Sequence, residues 1–193
     1  RRTMMVDTQV RPSDVTKFPI IDAMLTVPRE AFVPDAKREA AYVGENLDIG
    51  GGRIMLEPRT LAKMIDALDI QPNHVVLDIA CGLGYSTAVL ARMSDFVVAV
   101  ADNAAVMHGA LDAGAAKSGP YDIIILQGGV EQVPDSLLDQ LREGGRIAAV
   151  FLEGTLGVVR IGHKIDGAVS WRFSFNASAP VLQGFEKAAA FAL

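Results

Sequence analysis

The chain has 193 residues, half of them apolar, and its 18 basic and 23 acidic side chains give a formal charge of −5. A chain of this length buries roughly 70% of its unfolded surface as one compact domain. The acidic balance, with a pI near 5.2, argues against nucleic acid as a partner, because phosphate binding needs a basic face. We therefore expect a single domain over residues 1–193.

Membrane, export and metal signals are weak in this sequence. No apolar run approaches the ~20 residues of a membrane span, and no signal-like start precedes the helical part, although the chain begins at Arg1 rather than Met. The single cysteine, Cys81, excludes an internal disulfide and a cysteine zinc cluster, so a reducing, cytoplasmic setting fits best. His74, His108 and His163 lack metal-ligand spacing. We expect a monomer without membrane contact or metal.

Residues 1–74 are predicted to be mostly helical. Apolar residues at helical spacing around 20–25 predict a helix that stops at Val27-Pro28. Pro58 suits the first turn of a second helix, and apolar residues follow it at i, i+3, i+4 and i+7: Leu61, Met64, Ile65 and Leu68. A glycine run at 50–52 separates the two helices.

From residue 75 onward, strands and helices alternate. Runs that are apolar on both faces predict buried parallel strands at Val75–Leu77, Phe96–Val100, Tyr121–Leu126 and Ile147–Phe151. Helices are predicted over about 86–93 and at Leu137, Leu138 and Leu141, the second stopped by Gly144-Gly145. Val158–Ile165 and Ala168–Phe175 flank Asp166-Gly167, a strong hairpin signal, with Trp171, Phe173 and Phe175 interpreted as core. The pattern predicts an open, doubly wound α/β sheet closed by antiparallel strands.

One connection is too short for this plan. Only three residues separate the strand ending at Val100 from an apparent strand at Ala104–Met107, whereas a βαβ unit takes ~30 residues. Either the protein has lost a crossover helix, or residues are absent from the printed sequence near Val100 and Ala101. We favour absence, because a deleted crossover leaves the sheet without an ordinary path.

Residues 75–86 carry a ligand-binding pattern. An apolar strand bears Asp78 at its carboxyl end and is followed by a Gly82-x-Gly84 turn and a helix start. Ligands of open α/β sheets bind outside the carboxyl ends of the strands. The glycines let the backbone approach a ligand, the helix start offers unpaired N–H groups, and Asp78 has a charge suited to an ammonium or a sulfonium.

Other interpretations of the segment stay open. Thr87 stands where the third glycine of the dinucleotide motif G-x-G-x-x-G would be, so a nicotinamide cofactor is the weaker choice. A tight turn that binds no ligand is the purely structural alternative. No histidine lies near Cys81 in sequence, which favours a buried turn residue over a nucleophile. His108 and Gln127 follow predicted strands, where each could touch a ligand or simply form the strand-end turn.

These residues resemble a known family, the S-adenosylmethionine-dependent methyltransferases, and within it the protein-L-isoaspartate O-methyltransferases. The resemblance extends to about residue 152 and rests on ordered blocks at Asp22–Met24, Val27–Pro34, Ala41-Tyr42, Ile49–Pro58, Leu77–Tyr85 and Leu137–Arg146. It implies a Rossmann-like fold, with an acceptor-side loop in residues 1–74 and a cofactor-binding core in 75–193. It also implies S-adenosylmethionine as cofactor, held by Asp78, Ala80, Cys81, Gly82, Leu83, Gly84, Tyr85, His108, Gly109 and Gln127.

Three positions depart from the family pattern. Leu56 occupies the place of a serine that helps to position acceptor and cofactor, and its neighbours are apolar too. Residues 109–111 read Gly-Ala-Leu where the family carries Gly-Asp-Gly for the adenine amine, which leaves Asp112 as the substitute. The acidic residue for the ribose would fall in the short connection, where Asp102 is the carboxylate at hand.

The resemblance implies methyl transfer to the carboxylate of isoaspartyl residues in damaged proteins. A carboxylate of pKa ~4 is already ionised at pH 7, so alignment, worth roughly 7–11 kcal/mol, replaces a general base. Because of Leu56, we expect this activity to be weak or absent. The alternatives are a methyltransferase with another acceptor and a non-catalytic homologue that binds the cofactor or a partner. An open channel beside Leu56 would favour catalysis, and a filled one would favour binding.

Overall fold

The structure is a computed structural model that describes residues 1–101, 107–108 and 110–187. The N-terminal part consists of short helices: α1 (Arg2–Met5), a π-helical turn (Val6–Val10), α2 (Phe18–Thr26), α3 (Pro58–Leu68), and 3₁₀ turns at Arg11–Ser13, Arg29–Phe32 and Asp35–Ala40. α2 and α3 confirm the two predicted helices. The glycine run was not predicted to be a hairpin, yet it turns β1 (Leu47–Gly50) back on β2 (Arg53–Met55). All three glycines have positive φ, a conformation that side chains with a Cβ rarely adopt.

The predicted doubly wound sheet is confirmed. Its strands are β3 (Val75–Ile79), β4 (Phe96–Ala101), β5 (Met107–His108), β6 (Tyr121–Val130), β7 (Leu141–Glu153), β8 (Leu156–Ile165) and β9 (Ala168–Asn176). They lie in the order β5-β4-β3-β6-β7-β8-β9, with β8 and β9 antiparallel and the others parallel. The chain runs from β3 outward to β5 and then returns to the other side of β3. This reversal is a topological switch point, where ligands of such sheets bind.

Two short helices connect these strands, α4 (Tyr85–Leu90) and α5 (Asp135–Leu138). α5 is shorter than predicted, because Leu141 already belongs to β7 and Gly144-Gly145 lie within that strand rather than ending a helix. Leu141 is apolar and 2% exposed. Its burial in a strand is therefore compatible with the same spacing of apolar residues from which we predicted a helix. Apolar runs this short do not distinguish a helix from a strand.

The sheet is buried on both faces, which explains its continuous apolar runs. Successive residues of β3 and β6 alternate between two apolar clusters. Val76 and Ile123 pack with the N-terminal helices, whereas Leu77 and Ile124 pack with α5 and the C-terminal Phe185.

The aromatic residues of β9 do not share one face, contrary to the prediction. Phe175 is buried and Trp171 packs edge-on against Phe151, with ring centroids 4.8 Å apart, but Phe173 is 66% exposed. The pairing of β8 with β9 shifts register here: Val159 faces Phe175, and Arg160 faces Phe173. Such a bulge reverses which side chains point to the core.

The short connection between β4 and β5 comprises residues 102–106. β4 includes Val100 and Ala101, and the residues directly after them lie outside the described ranges, so absence of residues at this connection stays a prediction. β5 pairs parallel with β4 after residues 102–106, a link much shorter than an ordinary crossover of a dozen or more residues. Asp102 and most of the predicted strand Ala104–Met107 lie outside the described residues. Across the described ranges, no helix combines the length and apolarity needed to cross a membrane.

Candidate functional site

The turn between β3 and α4 has a special backbone. Ala80, Gly82 and Gly84 all have positive φ, at 61°, 59° and 94°. Glycine adopts this conformation freely, whereas at Ala80 it costs about 1–2 kcal/mol. The Ala80 N–H donates to the Val100 carbonyl at 2.8 Å, which ties the strained residue to β4. Strain of this kind is typical of ligand-binding turns.

Asp78 is buried completely and hydrogen-bonded three times. Its Oδ2 accepts from Ser86 Oγ and Thr87 Oγ1, each at 2.7 Å, and its Oδ1 accepts from Gln127 Nε2 at 2.8 Å. Burial raises the pKa of Asp78 to about 6, against the hydrogen bonds, which favour the ionised form. Thr87, which replaces the third glycine of the dinucleotide motif, thus has a structural partner.

Gln127 lies between the Asp78 carboxylate and the cleft at the switch point. An ionised carboxylate only accepts hydrogen bonds, so the Gln127 NH₂ group must point to Asp78 and its carbonyl oxygen lies on the other side. Among the described residues, no donor is bonded to that oxygen. Gln127 also lines the cleft at the switch point. Asp78 is not in the cleft wall, so its charge reaches a ligand only through the groups it holds.

The cleft has a volume of about 230 Å³ and lies outside the carboxyl ends of β3 and β6. Its walls come from the β1–β2 turn, the glycine turn, Leu111 after β5, Gln127 and a C-terminal segment, residues 180–186. That segment follows β6 closely: the Leu182 N–H donates to the Gly129 carbonyl at 2.8 Å. A larger hollow of about 480 Å³ is lined by Arg1, Arg2 and Tyr42, away from these strand ends.

Leu56 lies beyond the inner end of this cleft. Its side chain is 2% exposed and lines a void of about 10 Å³. Ile54, Ala80 and Gln127 line both the cleft and the void, so the two spaces adjoin. The channel expected for an active enzyme is therefore closed at Leu56 and open beside Ile54.

The remaining predicted site residues fall in different surroundings. Ala80 and Gly82 line the cleft. Cys81 is buried against Ala99 and Ala101, and Leu83 is 39% exposed. Tyr85 is buried, with its ring facing the Arg29 guanidinium. His108 ends β5, and Gly109 lies outside the described residues. Asp112 packs against Gly184, next to the C-terminal wall.

Sequence reasoning missed several participants. Ser86 and Thr87 lie in the first turn of α4, the helix that follows the glycine turn, a position that could have suggested their hydrogen bonds to Asp78. Arg29 was noted only as part of a family block. The C-terminal wall gave no signal, because its contacts with β6 arise from tertiary packing. Within the described ranges, no group of three or more His, Cys, Asp or Glu side chains is placed to hold a metal ion.

A doubly wound sheet with a glycine turn and a cleft at its switch point defines the Rossmann-like class of ligand-binding α/β proteins. The model of the protein-L-isoaspartate(D-aspartate) O-methyltransferase family matches residues 2–102 and 98–172. The chain belongs to this family.

Curated relatives agree. A protein-L-isoaspartate O-methyltransferase of Methylorubrum extorquens is 36% identical over 163 residues, covering 76% of this chain and 72% of the relative. The protein of that name from Vibrio campbellii is 35% identical over 153 residues, covering 70% of this chain and 74% of the relative.

Solved structures show the same fold. One titled protein-L-isoaspartate O-methyltransferase has a TM-score of 0.81 at 21% identity and covers 95% of this chain, which spans 66% of that chain. A Plasmodium falciparum protein described as such a methyltransferase, in complex with S-adenosyl-L-homocysteine, has a TM-score of 0.82 at 18% identity. It covers 94% of this chain and 98% of its own.

The family match is split where the connection is short. Its two stretches overlap at residues 98–102, where β4 ends. The comparison with the family thus breaks at the end of β4, next to the short connection. Absence of residues from the printed sequence at this place stays a prediction.

Proposed function

We propose that this protein is an S-adenosylmethionine-dependent methyltransferase whose cofactor binds in the cleft at the switch point. The observation that carries the proposal is the pairing of Asp78 with Gln127, which orients the amide of a residue that lines the cleft beside the glycine turn. Family membership supports it, as does the S-adenosyl-L-homocysteine in the Plasmodium falciparum structure.

The residues of the cleft fit such a ligand chemically. S-adenosylmethionine carries an ammonium and a sulfonium, and the Gln127 oxygen is an acceptor that suits these cationic groups. Leu111 and Ile54 supply apolar wall for a flat base. The positive φ of Gly82 brings backbone, rather than a side chain, to the cleft surface. Asp78 acts from behind by orienting Gln127, Ser86 and Thr87.

The cofactor, when bound, supplies a methyl group on a sulfonium for displacement by a nucleophile. We propose a carboxylate as that nucleophile, and specifically the isoaspartyl carboxylate on which the curated relatives are named to act. Such an acceptor is ionised at pH 7 and needs no base, so this chain's part is to align the acceptor and exclude water. The acceptor would enter between Arg53 and the C-terminal wall, because the space beside Leu56 is closed.

Leu56 itself favours a second candidate, a homologue that binds the cofactor with little or no methyl transfer. The void beside it holds about 10 Å³, space for at most a water molecule. An apolar side chain there cannot donate a hydrogen bond to an acceptor carboxylate, and it adds a desolvation cost. We therefore propose that isoaspartyl transfer by this chain is weak.

Calorimetric titration with S-adenosylmethionine and S-adenosyl-L-homocysteine tests cofactor binding. Transfer of labelled methyl groups to an isoaspartyl peptide, with its normal aspartyl counterpart as control, then tests the reaction. We expect binding of both ligands and slow transfer to the isoaspartyl peptide alone. No heat and no thermal shift at millimolar cofactor would refute the cofactor proposal. Binding without transfer would establish the second candidate.

We further propose a monomer that works in the cytoplasm. The single buried cysteine supports a reducing compartment. Size-exclusion chromatography with light scattering, and cell fractionation, test these two points.

A further inference from the structure

Arg29 is the most deeply buried cation that the structure describes. Its guanidinium is 0% exposed; Nε donates to the Ala41 carbonyl at 2.6 Å, and Nη2 donates to the Leu56 carbonyl at 2.7 Å. No carboxylate in the described part of the chain lies within ion-pair distance of it. Burial lowers the pKa of Arg29, but a guanidinium keeps its proton in proteins, so the charge remains.

The same guanidinium also contacts the start of α4, the helix that follows the glycine turn. Its central carbon lies 4.8 Å from the centroid of the Tyr85 ring, and Tyr85 is the first residue of α4, directly after Gly84. Within the described ranges, the Tyr85 hydroxyl and Arg29 Nη1 are buried and have no hydrogen-bond partner of ordinary geometry, and the two groups attract each other electrostatically. One side chain therefore joins the backbone of the acceptor-side loop to the start of the helix that follows the glycine turn.

Keeping an unpaired charge buried is expensive, and an apolar side chain would fill the same space without that cost. The feature that an apolar side chain lacks is the rigid fork, which fixes two carbonyls and an aromatic ring relative to one another. Methyl transfer depends on such fixed geometry, because small errors in alignment reduce the rate strongly. The Leu56 side chain cannot hydrogen-bond to an acceptor, so the backbone of this loop must set the acceptor position.

We propose that Arg29 is a positioning residue for methyl transfer, which sets the acceptor-side loop (residues 50–57) against the cofactor turn (residues 80–85) through the Leu56 carbonyl and the Tyr85 ring. This proposal rests on the proposed function. It predicts that methyl transfer depends on the planar, forked shape of the Arg29 guanidinium as well as on its charge.

The variants Arg29→Lys and Arg29→Met separate charge from geometry. Lysine keeps the charge but cannot bond both carbonyls in the fixed arrangement of the fork. We expect both variants to lower kcat for methyl transfer 10- to 100-fold while the Kd for S-adenosyl-L-homocysteine changes less than threefold. Arg38→Lys, at an exposed residue paired with Asp35, is the matched control.

Hydrogen exchange gives a readout that does not depend on activity. We expect amides of residues 54–57 to exchange at least tenfold faster in Arg29→Lys, with no change in β3. If Arg29→Lys equals the wild type in kcat and in exchange, the proposal is wrong. If exchange rises equally in β3, Arg29 merely stabilises the fold, and the proposal is also wrong.

Two further outcomes are kept apart. If the wild type transfers no methyl groups, the proposed function fails, and the exchange pattern alone decides whether Arg29 fixes the loop. If the Arg29 variants do not fold, Tyr85→Leu removes the ring but leaves both carbonyl hydrogen bonds. It should lower kcat 3- to 10-fold with faster exchange at 54–57, and unchanged exchange there would overturn the proposal.

Discussion

The carboxylate of Asp78 on β3 and the amide of Gln127 on β6 are joined by a hydrogen bond of 2.8 Å at the switch point of the sheet. The bond fixes which end of the amide faces Asp78, and Gln127 also lines the cleft. Parallel pairing of the two strands, with Asp78 opposite Ile125 and Ile79 opposite Leu126, brings the residues together. The pair links the strand, the helix start and the cleft in one polar network.

We expect Asp78→Asn to weaken cofactor binding at least tenfold and to remove the pH-dependent part of the free energy of unfolding that Asp78 contributes. An asparagine carries no charge, so the charge-assisted hydrogen bonds from Ser86, Thr87 and Gln127 are lost, and an acceptor-only carboxylate no longer fixes the orientation of the Gln127 amide. Asp122→Asn is the control, since Asp122 too accepts hydrogen bonds, from the Val75 N–H at 2.7 Å and from Arg142 at 2.9 Å, but lies outside the cleft wall. Urea unfolding and calorimetry would measure both effects. Unchanged binding in Asp78→Asn would show that Gln127 needs no fixed orientation.

The same carboxyl should make stability depend on pH. Its folded-state pKa of about 6 lies above the ordinary value of 3.8, so the native protein binds a proton more tightly than the unfolded chain does. This contribution to stability is present below about pH 4 and is lost as the pH rises through 6, by up to about 3 kcal/mol. Urea unfolding of wild type and Asp78→Asn from pH 4 to 7 isolates it. A constant difference between the two proteins over this range would contradict the raised pKa.

We expect Gly82→Ala to weaken cofactor binding at least tenfold. The new Cβ would lie 2.6 Å from Ile49 Cδ1, which forces Ile49 to shift next to Gly82, a residue of the cleft wall. The positive φ also makes the substitution cost about 1–2 kcal/mol of stability, so the loss cannot be confined to binding.

Gly144→Ala controls for that strain. Gly144 has a φ of +77°, and a Cβ there meets nothing within 4 Å. Both variants should lose similar stability in thermal unfolding, and only Gly82→Ala should show a smaller heat of cofactor binding in calorimetry. Equal cofactor affinity in the two variants would show that the glycine turn is not part of the binding site.

We expect Leu56→Ser to transfer methyl groups to an isoaspartyl peptide about 10- to 150-fold faster than Leu56→Ala. Both variants open a similar cavity at a buried position, at a cost of about 2–5 kcal/mol in stability, but only serine restores a hydroxyl. A hydrogen bond to a charged group is worth ~1.5–3 kcal/mol, which corresponds to this rate ratio if the bond acts in the transition state. If the wild type works rapidly and Leu56→Ser slows it, Leu56 belongs to a different acceptor site.

The sequence alone determined the α/β class, the strand–acid–glycine–helix motif and most strands, because continuous apolar runs are typical of strands buried on both faces. β3 and β4 and the β8–β9 hairpin were all predicted. Leu141 was assigned to the wrong element, because short apolar runs fit both periodicities. The bulge that exposes Phe173 depends on the register with β8, which no local pattern encodes.

The composition of the site depends on contacts between segments that are distant in sequence. From the sequence we expected the charge of Asp78 to face the ligand, but the fold buries this carboxylate, which accepts hydrogen bonds from Ser86, Thr87 and Gln127. The C-terminal wall and Arg29 are distant in sequence from the glycine turn, and contacts of this kind form only when the sheet brings separate segments together. Local periodicity reports which face of an element is buried, whereas the partner on that face is chosen by packing across the whole chain.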